Sequence, residues 1–375
     1  MNASNILILF SNSPYHEQHY YASAISSCLE QLSFHVTLIN TDSDISESAL
    51  QATILQLAPD LIFTLGLSGF HLQMLGDDLF LNGAYCPCVH LLTRHPAYDA
   101  GYLSQRMNFT MFFYSHFTEY ATYIEHFFKR VPNVAVLPFY QLPVTTIKSF
   151  EDRTIDLYYP SSYIPSKDIL SHIKSLPEVF ANICMDVIQA MQNNTDVSLH
   201  ECLYEYLDKI HFSLSDDEFN EIMQTMQLVE LYIKSLSSEH YISLLLENGY
   251  DVTVSGENWN QFSLNSHTNL HIIGEHGLNY YEAINTMCNS KSILNLQFHK
   301  NSGIHPRVIS ALSSHVNCVT NENKQISEII GYGNIFTFKT DEDFLHQIDL
   351  AIHHPFTDMA TSFLSDVLSD IISNI

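Results

Sequence analysis

The sequence predicts an α/β protein built from two doubly wound, mostly parallel sheets. Three observations predict it. Short apolar runs alternate with helical spacings from Asn5 to Pro138, the alternation returns after Asp156 and runs from Asp251 to about Phe338, and the polar glycine-containing loops fall just after strands. A chain of 375 residues is also too long for one ordinary core, which implies two domains.

Asn5 to Phe10 reads as a bounded apolar strand, Tyr20 to Leu32 as a helix, His35 to Ile39 as a strand, Glu47 to Leu57 as a helix and Asp60 to Leu65 as a strand. Cys88 to Leu92, Phe109 to Tyr114 and Val134 to Pro138 supply three more strands with helical stretches between them. A Pro- and Thr-containing linker from Leu142 to Arg153 follows, and Asp156 to Tyr159 opens the second half. Between about Pro177 and Asn248 the pattern is helical throughout. Ser198 with Glu201, and Ser215 with Glu218, have the Ser-x-x-Glu form in which side chains satisfy the open amides of a first helical turn, and Gly249 stops the last helix. Strands then recur at Asp251 to Ser255, Leu270 to Ile273 and Ser292 to Gln297. Thr340-Asp341-Glu342-Asp343 starts a helix, and after Pro355 a final amphipathic helix aligns Phe363, Leu364, Val367, Leu368, Ile371 and Ile372. The expected domains are residues 1–145, residues 154–350 with a helical segment at about 177–248, and a C-terminal helix within 355–375 that crosses back to the N-terminal domain.

Composition narrows the functional classes. With 46% hydrophobic and 15% charged residues the chain is a well-buried globular protein, not a disordered one. Its 15 basic and 41 acidic residues give a net charge of −26, so nucleic acid is not an expected partner. The most apolar stretch, Leu57 to Leu75, is broken by Pro59, Asp60, Gly66, Gly69 and His71, so no integral membrane span is expected. Seven cysteines, an odd number among apolar neighbours, read as reduced thiols of a cytoplasmic protein, the close pair Cys86 and Cys88 included. His16-Glu17-Gln18-His19 lacks the His-Glu-x-x-His spacing that puts two imidazoles on one helical face, so no metal site is expected there. No Gly-x-Ser-x-Gly elbow or Walker-type phosphate loop occurs, which removes the usual support for hydrolase and NTPase readings.

Chemistry concentrates in two places. Lys300-Asn301-Ser302-Gly303-Ile304-His305-Pro306-Arg307 combines two cations, a hydroxyl, a glycine that permits close backbone approach, and a proline suited to a first helical turn. Such a segment suits an oxyanion, because the positive end of the helix dipole points at the loop. Ser11 to Glu17 follows the first strand and carries His16, of the side-chain type that titrates near neutral and so suits proton transfer, with Glu17 in reserve. His95, in Thr93-Arg94-His95-Pro96 after another strand, is a second candidate base.

The segments GYDVTVSGENW, NLHIIGEHGLNYYEAINTMCNSKSILNLQ and SGIHPRVISALSSHVNCVTNENKQISEIIG resemble the carboxyl half of the CgeB-like bacterial glycosyltransferases. APDLIFTLG, CPCVHLLTRHPAYDA, FFYSHFTEYATYIEHFFKRVPNVAVLPF and DLYYPSSYIPSKDIL resemble the amino half. The resemblance implies GT-B architecture, two Rossmann-like parallel-sheet domains facing a cleft. It also implies a nucleotide-sugar donor, an unidentified hydroxyl, protein or glycan acceptor, no cofactor and no catalytic metal. The catalytic candidates remain His16, His95 and Glu17, and the resemblance points donor binding to Gly256, Asn258, Gly274, Glu275, Tyr280, Lys300, Ser302, Gly303, His305, Arg307 and Ser310. The family's helix reads Arg-x-x-Glu with a Gly a few residues on. Here Arg307 is followed by Ser310, and His315 takes the Gly place. The missing carboxylate keeps two other readings open, a non-catalytic nucleotide-sugar-binding protein and a nucleotide-sugar epimerase on the same scaffold.

Overall fold

Unbroken apolar runs can be buried on both faces, and this is how the chain uses them in the computed structural model, which describes residues 5–73, 79–144, 146–193, 197–274, 276–297, 303–329, 333–357 and 362–375. Two units result: Met1–Pro143 with Thr361–Ile375, and Val144–Ala360.

In the first unit β1 (Asn5–Phe10), α1 (Glu17–Gln31), β2 (His35–Asn40), α2 (Glu47–Leu57) and β3 (Leu61–Leu65) give the expected βαβαβ start. β4 (Cys88–Leu92), α3 (Ala100–Leu103), β5 (Met111–Ser115), α4 (Thr118–Phe127) and β6 (Val134–Val136) extend it. The six strands run parallel in the order β2-β1-β3-β4-β5-β6. The chain steps outward from β1 to β2, then returns past β1 and proceeds the other way, so the sheet reverses between β1 and β3. Helix α1 starts at Glu17, three residues before the first buried side chain, Tyr20. The periodic signal begins at Tyr20 because the first turn has no apolar face.

The second unit contains β7 (Ile155–Pro160), then five helices, α5 (Ser166–Ser175), α6 (Glu178–Asn193), α7 (Leu199–Lys209), α8 (Asp216–Thr225) and α9 (Gln227–Glu247). Both sequence-predicted capping boxes form: Ser198 and Ser215 accept from the amides of Glu201 and Glu218, whose carboxylates accept in return. There follow β8 (Val252–Ser255), β9 (Leu270–Ile273), α10 (Tyr280–Cys288), β10 (Ser290–Asn295), α11 (Pro306–Ser313), β11 (Asn317–Asn321), α12 (Lys324–Ile329), β12 (Ile335–Phe338) and α13 (Asp341–His353). The strands run parallel in the order β12-β11-β10-β7-β8-β9. Here the reversal lies between β7 and β10. Tyr159, Trp259, Phe262, Phe338 and Phe344 anchor the core on one side of this sheet. Two parallel Rossmann-like sheets, the second carrying the helical segment, make the fold class that the sequence predicts.

The last helix, α14 (Leu364–Asn374), buries Leu364, Val367, Leu368, Ile371 and Ile372 and packs on α1 of the first unit. Gln141 and the segment from Ser362 to Leu364 exchange backbone hydrogen bonds at its entry. Phe363 departs from the predicted stripe. It is extended rather than helical and remains 57% exposed. No helix of the described residues is long and apolar enough to cross a membrane. All seven cysteines are buried thiols.

One polar side chain sits in the middle of the first sheet. His90 of β4 is fully buried between Phe70 and Phe113, its Nδ1 2.7 Å from the Thr64 hydroxyl, which also lies 3.0 Å from the Gly66 carbonyl. If the hydroxyl donates to Gly66, Nδ1 must carry the proton, leaving Nε2 as a buried lone pair with no partner among the described residues. Burial pushes the imidazole pKa down to about 3. In the unfolded chain it takes a proton near pH 6.5, so the stability this group contributes is present above that pH and is lost as pH falls toward 3. By pH 5 the loss is on the order of 2 kcal/mol. His90→Leu is therefore expected to flatten the decline of stability between pH 6.5 and 5, as measured by denaturant melts; an unchanged slope would show that His90 does not set it.

Candidate functional site

In an open α/β sheet, ligands bind beyond the carboxyl ends of the strands where the strand order reverses. In the second unit that point lies between β7 and β10, and Arg307 occupies it. The residue is the second of α11. One guanidinium nitrogen donates to Asn295 Oδ1 at the end of β10 (3.2 Å) and another to the carbonyl of Pro160 at the end of β7 (2.8 Å). The group also stands 5.5 Å from the centre of the buried Tyr159 ring. Both acceptors are neutral. Among the described residues no carboxylate pairs with Arg307, so a half-buried positive charge stands uncompensated in a chain of net charge −26.

The start of α11 is otherwise self-contained. Pro306 has no N–H, His305 Nδ1 accepts from the Arg307 amide at 3.1 Å, and the Val308 amide donates to the His305 carbonyl at 2.9 Å. Thus the positive end of the helix contributes its dipole, but its first amides are already engaged. Gly303 adopts φ 92°, and its carbonyl accepts from Gln297 Nε2 and Asn323 Nδ2, which fixes the approach to the helix. Lys300 and Ser302 lie outside the described residues, as does Glu275.

Next to this point the loops after β7 and β8 are pressed together. Gly256, at φ 125°, is so close to the backbone of Ser161 and Ser162 that a Cβ would lie 2.6 Å from it. Trp259 is buried and donates from Nε1 to the Ser161 carbonyl at 2.6 Å. Asn258 is left-handed (φ 69°) and opens the short 3-10 turn that carries the tryptophan, with Gln261 Nε2 donating to its side chain. The Tyr158 and Ser255 hydroxyls meet at 2.6 Å under these loops. Beyond β9, Gly274 (φ 60°) accepts from the Gly277 amide at 2.7 Å in a tight turn. The turn leads to Asn279, which caps α10 reciprocally with Glu282. Tyr280 and Ser310 bond each other at 3.0 Å, and Ser310 is only 1% exposed.

In the first unit the reversal between β1 and β3 holds a neutral cluster. The hydroxyls of Ser11 and Ser68 meet at 2.6 Å, and Gln18 Oε1 accepts from the Ser11 amide at 2.8 Å. Beside it Tyr15 and His16 are consecutive left-handed residues (φ 61° and 59°), strain that costs on the order of 1 kcal/mol or more each and is often kept at functional sites. His16 and Glu17 are exposed at the entry to α1. His95 is 1% exposed; its Nδ1 accepts from the Ala97 amide, and Tyr120 and Tyr123 surround its ring. Each of these residues thus sits after a strand of the first sheet, His16 and Glu17 at the surface and His95 inside.

Asn295, the Pro160 carbonyl, Tyr158 with Ser255, and Ser68 with Gln18 join the two sites without having been predicted. Asn295 gives one faint signal, a polar residue inside the apolar strand read from Ser292 to Gln297.

No family model matches the chain, and no curated protein matches it. Solved structures similar to it include an alpha-glucosyltransferase in complex with UDP and a 13-mer DNA containing a central A:G mismatch (10% identity, 94% of this chain and 89% of that one covered, TM-score 0.47). A glycosyltransferase from Rickettsia africae ESF-5 (8% identity, 94% and 88% covered, TM-score 0.45) and an alpha1,3-fucosyltransferase (9% identity, 99% and 90% covered, TM-score 0.38) are also similar. The fold class rests on the strand order and pairing above.

The closeness of Gly256 to a neighbouring backbone makes that loop testable. Gly256→Ala adds a methyl where backbone cannot yield, in a conformation that side chains rarely adopt. A loss of roughly 2 kcal/mol or more is expected in equilibrium unfolding. A neutral substitution would mean that the loops after β7 and β8 are not held as described.

Proposed function

We propose that the protein is a glycosyltransferase of the CgeB-like type, which moves a sugar from a nucleotide-sugar donor to a hydroxyl-bearing acceptor. The observation that carries this reading is the charge of Arg307 at the reversal between β7 and β10, which no carboxylate among the described residues pairs with. Sugar transfer leaves a diphosphate on the departing nucleotide, and the barrier falls if positive charge is already fixed where that negative charge grows. Among the described residues, two of the five guanidinium N–H groups are engaged, which leaves three to meet phosphate oxygens, and the α11 dipole adds to the same field.

On the acceptor side the reading assigns proton removal from the attacking hydroxyl to His16, which is exposed beside the Ser11, Gln18 and Ser68 cluster, with Glu17 as the second candidate. His95 is less accessible, because its ring is enclosed. The cluster offers hydroxyl and amide groups of the kind that hydrogen-bond a polyol. The reading also carries metal independence with it, so turnover should survive EDTA.

One observation favours a second reading, nucleotide-sugar binding without transfer. Ser310, where relatives hold a carboxylate, is buried and bonded to Tyr280. The two readings separate experimentally. Incubation with UDP-, GDP-, ADP- and dTDP-sugars is expected to stabilise the protein thermally and to release nucleoside diphosphate in the presence of a suitable acceptor. Stabilisation by a donor with no release in any acceptor screen would establish the binding reading, and neither effect with any donor would end both. Arg307→Ala is expected to weaken the donor that binds by about 10- to 150-fold, as for loss of a charged hydrogen bond of about 1.5 to 3 kcal/mol. Unchanged affinity would remove Arg307 from the site.

A further inference from the structure

The two most exposed large apolar side chains among the described residues, Tyr85 at 105% and Phe109 at 81%, precede neighbouring strands. They lie on the loops that enter β4 and β5, adjacent parallel strands in which Cys88 pairs with Met111 and the Cys88 amide donates to the Thr110 carbonyl. Adjacent strands are about 4.8 Å apart, so the two loops run side by side at the amino-terminal edge of the first sheet. That edge is opposite the one that holds Ser11 and Ser68.

The loop bearing Phe109 is clamped. Asn82 donates from its side chain to the Arg106 carbonyl at 2.7 Å and accepts from the Asn108 amide at 3.0 Å. Asn133 Nδ2 donates to the carbonyls of Phe109 (2.8 Å) and Met111 (2.9 Å). A phenyl ring on a loop fixed from both sides has no route into the core, so water contact over most of its surface is its built-in state. Exposed apolar rings held on adjacent fixed loops suit a contact surface.

Charge says which surface. Only four Lys or Arg residues precede Pro143, and three of them, Arg106, Lys129 and Arg130, are exposed on the loops and helix end that enter β5 and β6, beside the two aromatics. Among the described residues the acidic groups at that edge are Glu30, at the end of α1 before the far strand β2, Asp60, which accepts from the Asn5 amide, and Glu125 of α4, one turn before Lys129. In a chain of net charge −26 this is a locally cationic, aromatic-tipped rim. We propose that it docks the protein on an anionic lipid surface, with Tyr85 and Phe109 inserted at headgroup depth and Arg106, Lys129 and Arg130 against the lipid phosphates. Aromatic rings favour the membrane–water interface, and each nearby cation attracts anionic headgroups. Nucleic acid fits the same rim less well. Three cations offer few phosphate contacts against the repulsion of the whole chain, whereas ring insertion gains energy that does not depend on charge.

The test is co-sedimentation of the full chain with vesicles of equal parts phosphatidylcholine and phosphatidylglycerol, and with phosphatidylcholine alone. Binding is expected to the mixed vesicles, weaker binding to the neutral ones, and a loss of about tenfold or more for Tyr85→Ser with Phe109→Ser. Arg130→Gln should cost about fivefold, the effect of roughly 1 kcal/mol per cation. Since these side chains are exposed, the variants should melt as the parent does. Failure of the parent to sediment, or equal sedimentation of the serine variant, overturns the proposal. So does a concentration-dependent rise in mass by light scattering, or binding to duplex DNA, that the same serine substitutions abolish, since the rim would then serve self-association or nucleic acid.

Discussion

The second unit is organised around one interaction, the bridge that Arg307 makes between the ends of β7 and β10. A guanidinium drawn halfway out of water loses hydration, and a buried charge persists only where hydrogen bonds replace it. Here the replacements are a backbone carbonyl and a side-chain amide, assisted by the Tyr159 ring. They hold the group in place without cancelling its charge, as a carboxylate would. The same contact fixes the end of β7, from which the Ser161 and Ser162 backbone runs against Gly256 and receives the Trp259 indole. The positive group and the loops that would surround a ligand therefore share one support.

Much of this plan is legible in the sequence because it is written locally. The apolar runs that became β1, β3, β4 and β10 announce themselves by length, and the two Ser-x-x-Glu boxes specify helix starts through contacts three residues apart. What escaped is non-local or unsigned. The Arg307 bond to the Pro160 carbonyl spans 147 residues and uses an acceptor that every residue possesses. The N-cap of α1, His16, is left-handed and makes no side-chain cap bond, so neither capping chemistry nor periodicity marks Glu17 as helical. Phe363 completed an apolar stripe on paper, yet it precedes the helix and so escapes the helical face. His95 and His16 look alike in sequence, and only packing separates an enclosed imidazole from an exposed one.

The two sheets repeat one architecture with opposite chemistry at corresponding points. Where the first reverses, Ser11, Gln18 and Ser68 gather hydroxyls and an amide carbonyl. Where the second reverses, Arg307 brings a full charge. Neutral donors and acceptors suit a polyhydroxylated partner that keeps its own neutrality, while a fixed cation suits an anion. Strained Tyr15 and His16 beside the first point are consistent with a backbone held for what it presents rather than for its own stability.

The helix after Arg307 departs at two positions from the pattern of the glycosyltransferases that the sequence resembles, and the two departures differ in kind. His315 takes the place of the glycine in the pattern that the sequence resembles, yet its φ is 55°, the left-handed conformation that glycine adopts without cost. The His315 amide donates to the Leu312 carbonyl and the Val316 amide to that of Ala311, closing α11 as a glycine would. The ring of His315 stacks on Phe356 at 4.9 Å and 17°, which offsets part of the strain. The backbone role therefore survives the change of residue. At Ser310 the opposite holds: the position remains on the helix, but its side chain is buried and turned to the Tyr280 hydroxyl. On the proposed reading a donor's ribose would meet no carboxylate from this helix. The affinity that a charged hydrogen bond supplies would have to come from the diphosphate at Arg307 and from contacts to the base along the turn from Gly274 to Tyr280.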